Sequence, residues 1–177
     1  MKRNPPVERG LVLVYEGEGE GKTMAAIGHA VRALGHGRKV AVIHFMKGWE
    51  SGEYKFLERE KDVAIFLGGP TTFLVTEEDR KAHLAKAREA YKLSRKILSD
   101  GTYDLVILDE VLYTLKFGLL KEEDVLSLLD AGNEKHLILT GRGATDRILK
   151  RADVLTRTIN VRHHYETDKR TILGLDY

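Results

Sequence analysis

The stretch Tyr15-Glu16-Gly17-Glu18-Gly19-Glu20-Gly21-Lys22-Thr23 constrains this chain more than any other part of it. It follows the apolar run Leu11 to Val14 and precedes Met24-Ala25-Ala26-Ile27, so it lies where a strand hands over to a helix. A phosphate-binding loop needs that context. Glycines at alternate positions let backbone N–H groups turn inward toward phosphate oxygens, and the helix N-terminus adds donors and partial positive charge. Lys22 can bridge phosphates, and the Thr23 hydroxyl can ligate Mg²⁺.

The loop departs from the usual pattern in one informative way. G-x-x-x-x-G-K-[ST] asks for glycine at position 16, where Glu16 stands. Glu16, Glu18 and Glu20 interleave the glycines, so a polyanion fits only if their side chains turn outward. The bland alternative is a glycine-rich turn with an incidental Lys-Thr. An acidic strand end later in the chain decides for a nucleotide site.

The remaining pattern alternates strands and helices. After the loop, Ile27, Ala30, Val31 and Leu34 recur at helical spacing up to the stop signal Gly35-His36-Gly37. The continuous apolar run Leu11–Tyr15 suits a strand buried on both faces of a parallel sheet, Lys39–Phe45 gives a second buried strand, and Val63–Leu67, Tyr103–Leu108 and His136–Thr140 read as three more. Thr76 with Asp79 reads as a helix N-terminal cap, and the helix runs to about Leu98 with Leu84, Ala87, Tyr91 and Leu98 on its apolar stripe. Val125, Leu128 and Leu129 mark a further helix, and Ala144 to Arg151 another. Leu155–Arg162 and Arg170–Leu175 read as two last strands, joined by a polar connection over residues 163–169. The expected fold is a three-layer α/β/α sandwich of the P-loop NTPase type, RecA-like, with a mostly parallel sheet.

In such a sheet the ligand meets the carboxyl ends of the strands. The fourth strand ends in Asp109-Glu110, a Walker B-like acidic pair that would lie near the metal of the loop. Lys47 follows the second strand, and Arg142 stands between glycines after the fifth, where it can pair with phosphates bidentately. Lys22, Thr23, Lys47, Glu110 and Arg142 thus describe a polyphosphate site with one metal ion. These residues alone leave open hydrolysis, phosphoryl transfer, or chemistry at the other end of the nucleotide.

Composition removes several classes. The 29 basic and 27 acidic residues nearly balance, which leaves no nucleic-acid footprint. There is no cysteine, so disulfides and thiolate metal sites are excluded, and the seven histidines show no metal-ligand spacing. No run approaches membrane-spanning length, so a cytoplasmic protein without a membrane partner is expected. Residues 1–9 read as a short N-terminal arm and 10–177 as one domain.

Beyond the loop, several motifs resemble those of the P-loop corrinoid (cob(I)alamin) adenosyltransferases. They are Gly17 to Thr23, Arg32 to Val40, Phe45-Met46-Lys47-Gly48, Val106 to Glu110, Thr140-Gly141-Arg142-Gly143 and Leu173 to Tyr177. The similarity runs from about Arg9 to Tyr177, and the family likewise lacks the first glycine of the loop. The resemblance implies transfer of the 5′-deoxyadenosyl group of ATP to Co(I) of a reduced corrinoid, releasing triphosphate, with ATP held in the reverse sense to ordinary P-loop enzymes. It assigns Lys22 and Arg142 as catalytic and Thr23 and Glu110 as ligands of Mg²⁺. The loop residues Gly17, Glu18, Gly19, Glu20, Gly21, Lys22, Thr23 and Met24, with Lys47 and Arg142, would hold ATP. It further implies a homodimer and a flavoprotein reductant. Two departures stand out. The family's Phe-Thr-Trp segment, which packs against the corrin and eases reduction of Co(II), is replaced by Gly69-Pro70-Thr71-Thr72-Phe73, so Phe73 and Trp49 become the candidate corrin contacts. The family's longer arm, which folds over the site, is shortened to about nine residues. An ATP hydrolase using Glu110 as base, or a binding module without turnover, are the alternatives.

Overall fold

The computed structural model describes residues 9–176. The arm expected over residues 1–9 lies outside them except for Arg9, whose guanidinium pairs with Asp153. In chain order the elements are β1 (Val12–Gly17), α1 (Lys22–Gly35), β2 (Val40–His44), α2 (Gly52–Leu57), β3 (Val63–Leu67), α3 (Glu77–Ser99), β4 (Leu105–Asp109), α4 (Val111–Lys116), α5 (Glu122–Ala131), β5 (His136–Gly141), α6 (Asp146–Leu149), β6 (Val154–Thr158) and α7 (Tyr165–Asp168). The strands form one sheet in the order β3-β2-β4-β5-β1-β6, and every neighbouring pair is parallel.

The layering follows from strand periodicity. Successive strand residues face opposite sides. Ala41, Ile43, Val106, Leu108, Leu137 and Leu139 join one buried cluster with residues of α3, α4, α5 and α6. The residues between them, Val42, Ile107 and Ile138, join another with Ala26, Ile27 and Ala30 of α1. The result is a sheet covered on both faces, the α/β/α fold that the alternating pattern predicts. Because all strands run the same way, their carboxyl ends share one edge, and the register sets His44 beside Asp109 and Glu16 beside Gly141.

Local signals explain where elements start. Thr76 accepts a hydrogen bond from the Asp79 amide at 3.1 Å while Asp79 accepts one from the Thr76 amide at 2.9 Å, the reciprocal cap read from the sequence. Some expectations need correction. Val31 and Leu84 are 51% and 42% exposed, because each lies just off the stripe that meets the sheet. The sixth strand stops at Thr158 rather than Arg162. No strand forms over residues 170–175: the Ile172 carbonyl accepts from the amides of Leu175 and Asp176, and Gly174, at φ 82°, turns the chain back on itself. The helix expected over residues 144–151 is confined to α6, and the short helices α2, α4 and α7 have too few residues to show a period.

Candidate active site

The glycine-rich loop occupies residues 17–21, between β1 and α1. Gly17 has φ 121°, and a Cβ there would stand 2.2 Å from the Thr158 carbonyl oxygen, so only glycine lets the loop pass this close to β6. Gly21 caps α1 with no side-chain bond and no acid in the first turn, which leaves the amides of that turn open to an anion.

Two of the three loop acids are drawn to cations outside this opening, and the third stays at its rim. Glu16 is buried and paired with Arg157 Nε at 2.7 Å. Glu18 pairs with Arg142, and its carbonyl oxygen accepts a second bond from the same guanidinium at 2.8 Å. Glu20 faces His163 at 3.4 Å. The condition that the sequence set for a polyanion here is met by Glu16 and Glu18, whereas Glu20 stays in the cavity wall beside Lys22.

Beneath the loop lies a hydrogen-bonded network. Asp109 is 1% exposed and accepts three bonds: from Thr23 Oγ1 at 3.0 Å, Thr140 Oγ1 at 2.6 Å and His44 Nδ1 at 2.9 Å. Burial alone would raise its carboxyl, but the bonds from His44, Thr140 and Thr23 hold it below the usual carboxylate range. Asp109 is thereby used up in aiming the Thr23 hydroxyl. Glu110 follows at φ 60°, a left-handed conformation that costs a bulky residue about 1 kcal/mol. Its amide donates to Thr140 Oγ1 at 2.8 Å, which offsets that cost and turns the carboxyl toward the opening. Burial, and then the neighbouring Asp109 charge, push the Glu110 carboxyl up to about 7.

That shift has a measurable sign. Unfolded, Glu110 titrates near its usual 4.5, so between there and about 7 the native state holds the extra proton and rising pH lowers stability. Glu110→Gln removes this contribution. Its stability advantage over the parent is expected to grow as pH rises from 4.5 to 7 and then to level off, as read by urea melts at successive pH values. A constant difference across that window would refute the burial argument.

The other cations of the site also rest on internal partners. Lys22 Nζ donates to the Gly19 carbonyl at 2.5 Å, and burial lowers its pKa against the pull of Glu110, Asp109 and Glu20. Lys47 pairs with Glu53 at 2.9 Å, both sheltered. The structure brings Lys22, Thr23, Lys47 and Glu110 to one cavity of about 910 Å³. Arg142 stands beside it rather than in its wall, held toward Glu18 with its guanidinium 5.7 Å from the centre of the Tyr113 ring. Met24, 58% exposed, and Glu20 complete the polar end.

The far end of the same cavity is apolar. Trp49 and Phe73, distant in sequence, meet with ring centres 5.6 Å apart, and Phe56 and Phe117 extend the wall. Two features place Phe73. His83 Nε2 bonds the Thr72 carbonyl at 3.0 Å, and the backbones around Gly48 and Gly69 pack so closely that a Cβ on Gly69 would stand 2.3 Å from the Met46 carbonyl carbon. Sequence reasoning missed Tyr113, Glu53 and His44. Tyr113 and Phe117 stand four apart directly after the acidic pair, a spacing that puts both on one helix face. Glu53 and His44 carry no such signal.

A separate cavity of about 800 Å³ opens at the opposite edge of the sheet, lined by His29, Arg32, His36 and Arg38 among others, and has neither the glycine-rich loop nor the acidic pair. Among the described residues no three His, Asp or Glu side chains converge on a metal position. A divalent cation would therefore depend on the Thr23 hydroxyl, the Glu110 carboxyl and oxygens brought by a ligand.

Comparison with known proteins agrees with this geometry. The family model described as ATP:corrinoid adenosyltransferase BtuR/CobO/CobP matches residues 8–177. The chain is similar to the corrinoid adenosyltransferase of Escherichia coli strain K12, at 36% identity over 172 residues, 96% of this chain and 87% of that one. It is equally similar to the corrinoid adenosyltransferase CobA of Salmonella typhimurium strain LT2, again 36% identical across 96% of this chain and 87% of its relative. The corrinoid adenosyltransferase of Pseudomonas aeruginosa matches at 36% identity over 96% of this chain and 85% of its own.

Proposed function

Because the chain belongs to the ATP:corrinoid adenosyltransferase family BtuR/CobO/CobP, we infer how its own residues carry that reaction. The enzyme transfers the 5′-deoxyadenosyl group of ATP to Co(I) of a reduced corrinoid and releases triphosphate. The cobalt electron pair forms the bond to C5′, the C5′–O bond breaks, and triphosphate leaves with that bond's electrons. Cobalt ends formally as Co(III). Co(I) carries no proton, so no general base is needed, and catalysis rests on alignment and on stabilising the departing charge.

The observation that carries the residue assignments is the single cavity with a polyphosphate end at Lys22 and Thr23 and an aromatic end at Trp49 and Phe73. At the first end, Gly17 to Met24 hold the triphosphate, with Lys22 and Arg142 as the catalytic cations and Lys47 as a further clamp. Mg²⁺ would be held by Thr23, whose hydroxyl Asp109 fixes, and by Glu110, whose half-buried carboxyl gains from a neighbouring cation. It would neutralise charge on the leaving group. At the second end, Trp49 and Phe73 contact the corrin in place of the family's Phe-Thr-Trp segment.

The aromatic assignment has its own test. If Phe73 eases reduction by packing against the corrin, Phe73→Ala should slow turnover started from Co(II) by roughly tenfold, the scale of one lost aromatic contact. Turnover started from preformed Co(I) should fall much less. Equal loss from the two starting states would dismiss the proposal.

The proposal also takes residues 10–177 as one catalytic domain acting as a cytoplasmic homodimer with a flavoprotein reductant. It rests for these on the resemblance; among the described residues no helix is long and apolar enough to cross a membrane. Sedimentation velocity reads the dimer directly. The decisive experiment for the reaction is anaerobic incubation with ATP, Mg²⁺ and chemically reduced cobalamin. A light-sensitive cobalt–carbon product with triphosphate formed in equal amount is expected, whereas ADP and phosphate formed without corrinoid would overturn it.

A further inference from the structure

The transfer reaction does not account for the acids of the loop. Stabilising a departing triphosphate calls for cations, yet this loop carries Glu18 between two of its glycines and sets it against Arg142. The pairing is specific, since the guanidinium takes both the Glu18 carboxylate and, at 2.8 Å, the Glu18 carbonyl oxygen. Glu18 is 65% exposed on its side chain, so it is free to swing into solvent when a competing anion arrives. Arg142 is more sheltered, at 29%, and because both terminal nitrogens of its guanidinium are engaged by Glu18, an incoming anion has to take the place of that carboxylate.

The chemistry of the leaving group gives this pairing a purpose. An enzyme that splits ATP between phosphates releases its negative charge in two pieces. Here the whole triphosphate leaves as one ion, and breaking C5′–O adds one negative charge to the chain that ATP presented. Cations arranged to stabilise that charge as it develops bind the free product more tightly than the substrate, and product release then limits turnover. A carboxylate that returns to the cation as the product departs offsets this bias.

We propose that Glu18 is the counter-ion that competes with triphosphate for Arg142, and so sets the discrimination between ATP and the released inorganic triphosphate. The inference rests on the polyphosphate reading of the site given above. Lys47 on Glu53 repeats the arrangement on a second cation, but Glu53 is only 13% exposed, so it is less able to leave.

The test is calorimetric titration of the full chain with inorganic triphosphate and, separately, with ATP, both with Mg²⁺ at fixed ionic strength, for the parent, Glu18→Gln and the control Glu60→Gln. Glu60 is an exposed acid outside the loop. Removing one exposed ion-pair competitor is expected to tighten triphosphate binding by up to about fivefold. The gain for ATP should be smaller, and Glu60→Gln should match the parent. The gain should shrink with added salt, because screening weakens exposed pairs. Unchanged triphosphate affinity in Glu18→Gln would overturn the proposal. So would weaker binding, which would mean that Glu18 positions Arg142 for the ligand. A parent that binds neither ligand would remove the polyphosphate reading itself, and the inference with it.

Discussion

Replacing Lys22 with alanine is expected to lower the rate of adenosyl transfer by roughly 10²–10³-fold, the usual effect of removing one preorganised donor to developing negative charge. The argument starts from where the ammonium sits. It is partly desolvated, which lowers its pKa, and its hydrogen bond among the described residues goes to the neutral Gly19 carbonyl at 2.5 Å. A phosphate oxygen displaces a neutral acceptor readily, and the interaction that replaces it is charge-assisted. The loss should fall on kcat as well as on kcat/KM, because charge on the triphosphate grows as C5′–O breaks. Lys22→Arg should recover only part of the rate, since a planar fork does not reproduce a compact charge at the end of a flexible stem. The substitution also reaches Glu110: Lys22 is one of the charges that hold the Glu110 carboxyl down, so its removal moves that group further up. Single-turnover rates with preformed Co(I) measure the effect free of the reduction step. A Lys22→Ala enzyme within a few fold of the parent would show that Lys22 does not touch the leaving group.

How much of this was legible in the sequence depends on how local each determinant is. The parallel strands β2 to β5 rest on apolar runs, and the reciprocal cap joins Thr76 to Asp79 only three residues on, so both can be read directly. The loop, Glu110 and Lys47 were found because a parallel sheet sends every strand's carboxyl end to one edge. Arg142 was placed on the correct edge, but nothing local told that it would turn to Glu18. The relation between Trp49 and Phe73 was invisible for the same reason: it depends on β2 and β3 being neighbours and on the close approach at Gly48 and Gly69. The strand expected over residues 170–175 does not form because a left-handed Gly174, with the Asp176 carboxylate on the Ile172 amide at 2.6 Å, closes a turn there.

The network under the loop supports the second large effect, on stability rather than rate. Asp109→Ala is expected to cost roughly 3 kcal/mol, because it strands buried partners instead of simply deleting a contact. His44 is fully buried and its Nε2 is already without a partner among the described residues, so losing Asp109 at 2.9 Å leaves both ring nitrogens unpaired. Thr23 and Thr140 lose their common acceptor in the same step. The Asp109 carboxylate is held low in the native state, so its contribution is complete above its usual value of 3.8 and is lost as pH falls through its folded value. The difference between parent and variant should therefore be full at pH 7 and shrink under acid. Thr140→Val is the graded comparison. It removes one hydroxyl that donates to Asp109 and accepts from the Glu110 amide, and should cost about 1 kcal/mol. Urea denaturation with unchanged m-values reads both. If Asp109→Ala unfolds at the parent's denaturant concentration, the buried network contributes nothing to stability. If it is destabilised as expected and the folded variant also binds Mg²⁺ and ATP poorly, one carboxylate both holds the sheet edge together and aims the Thr23 hydroxyl.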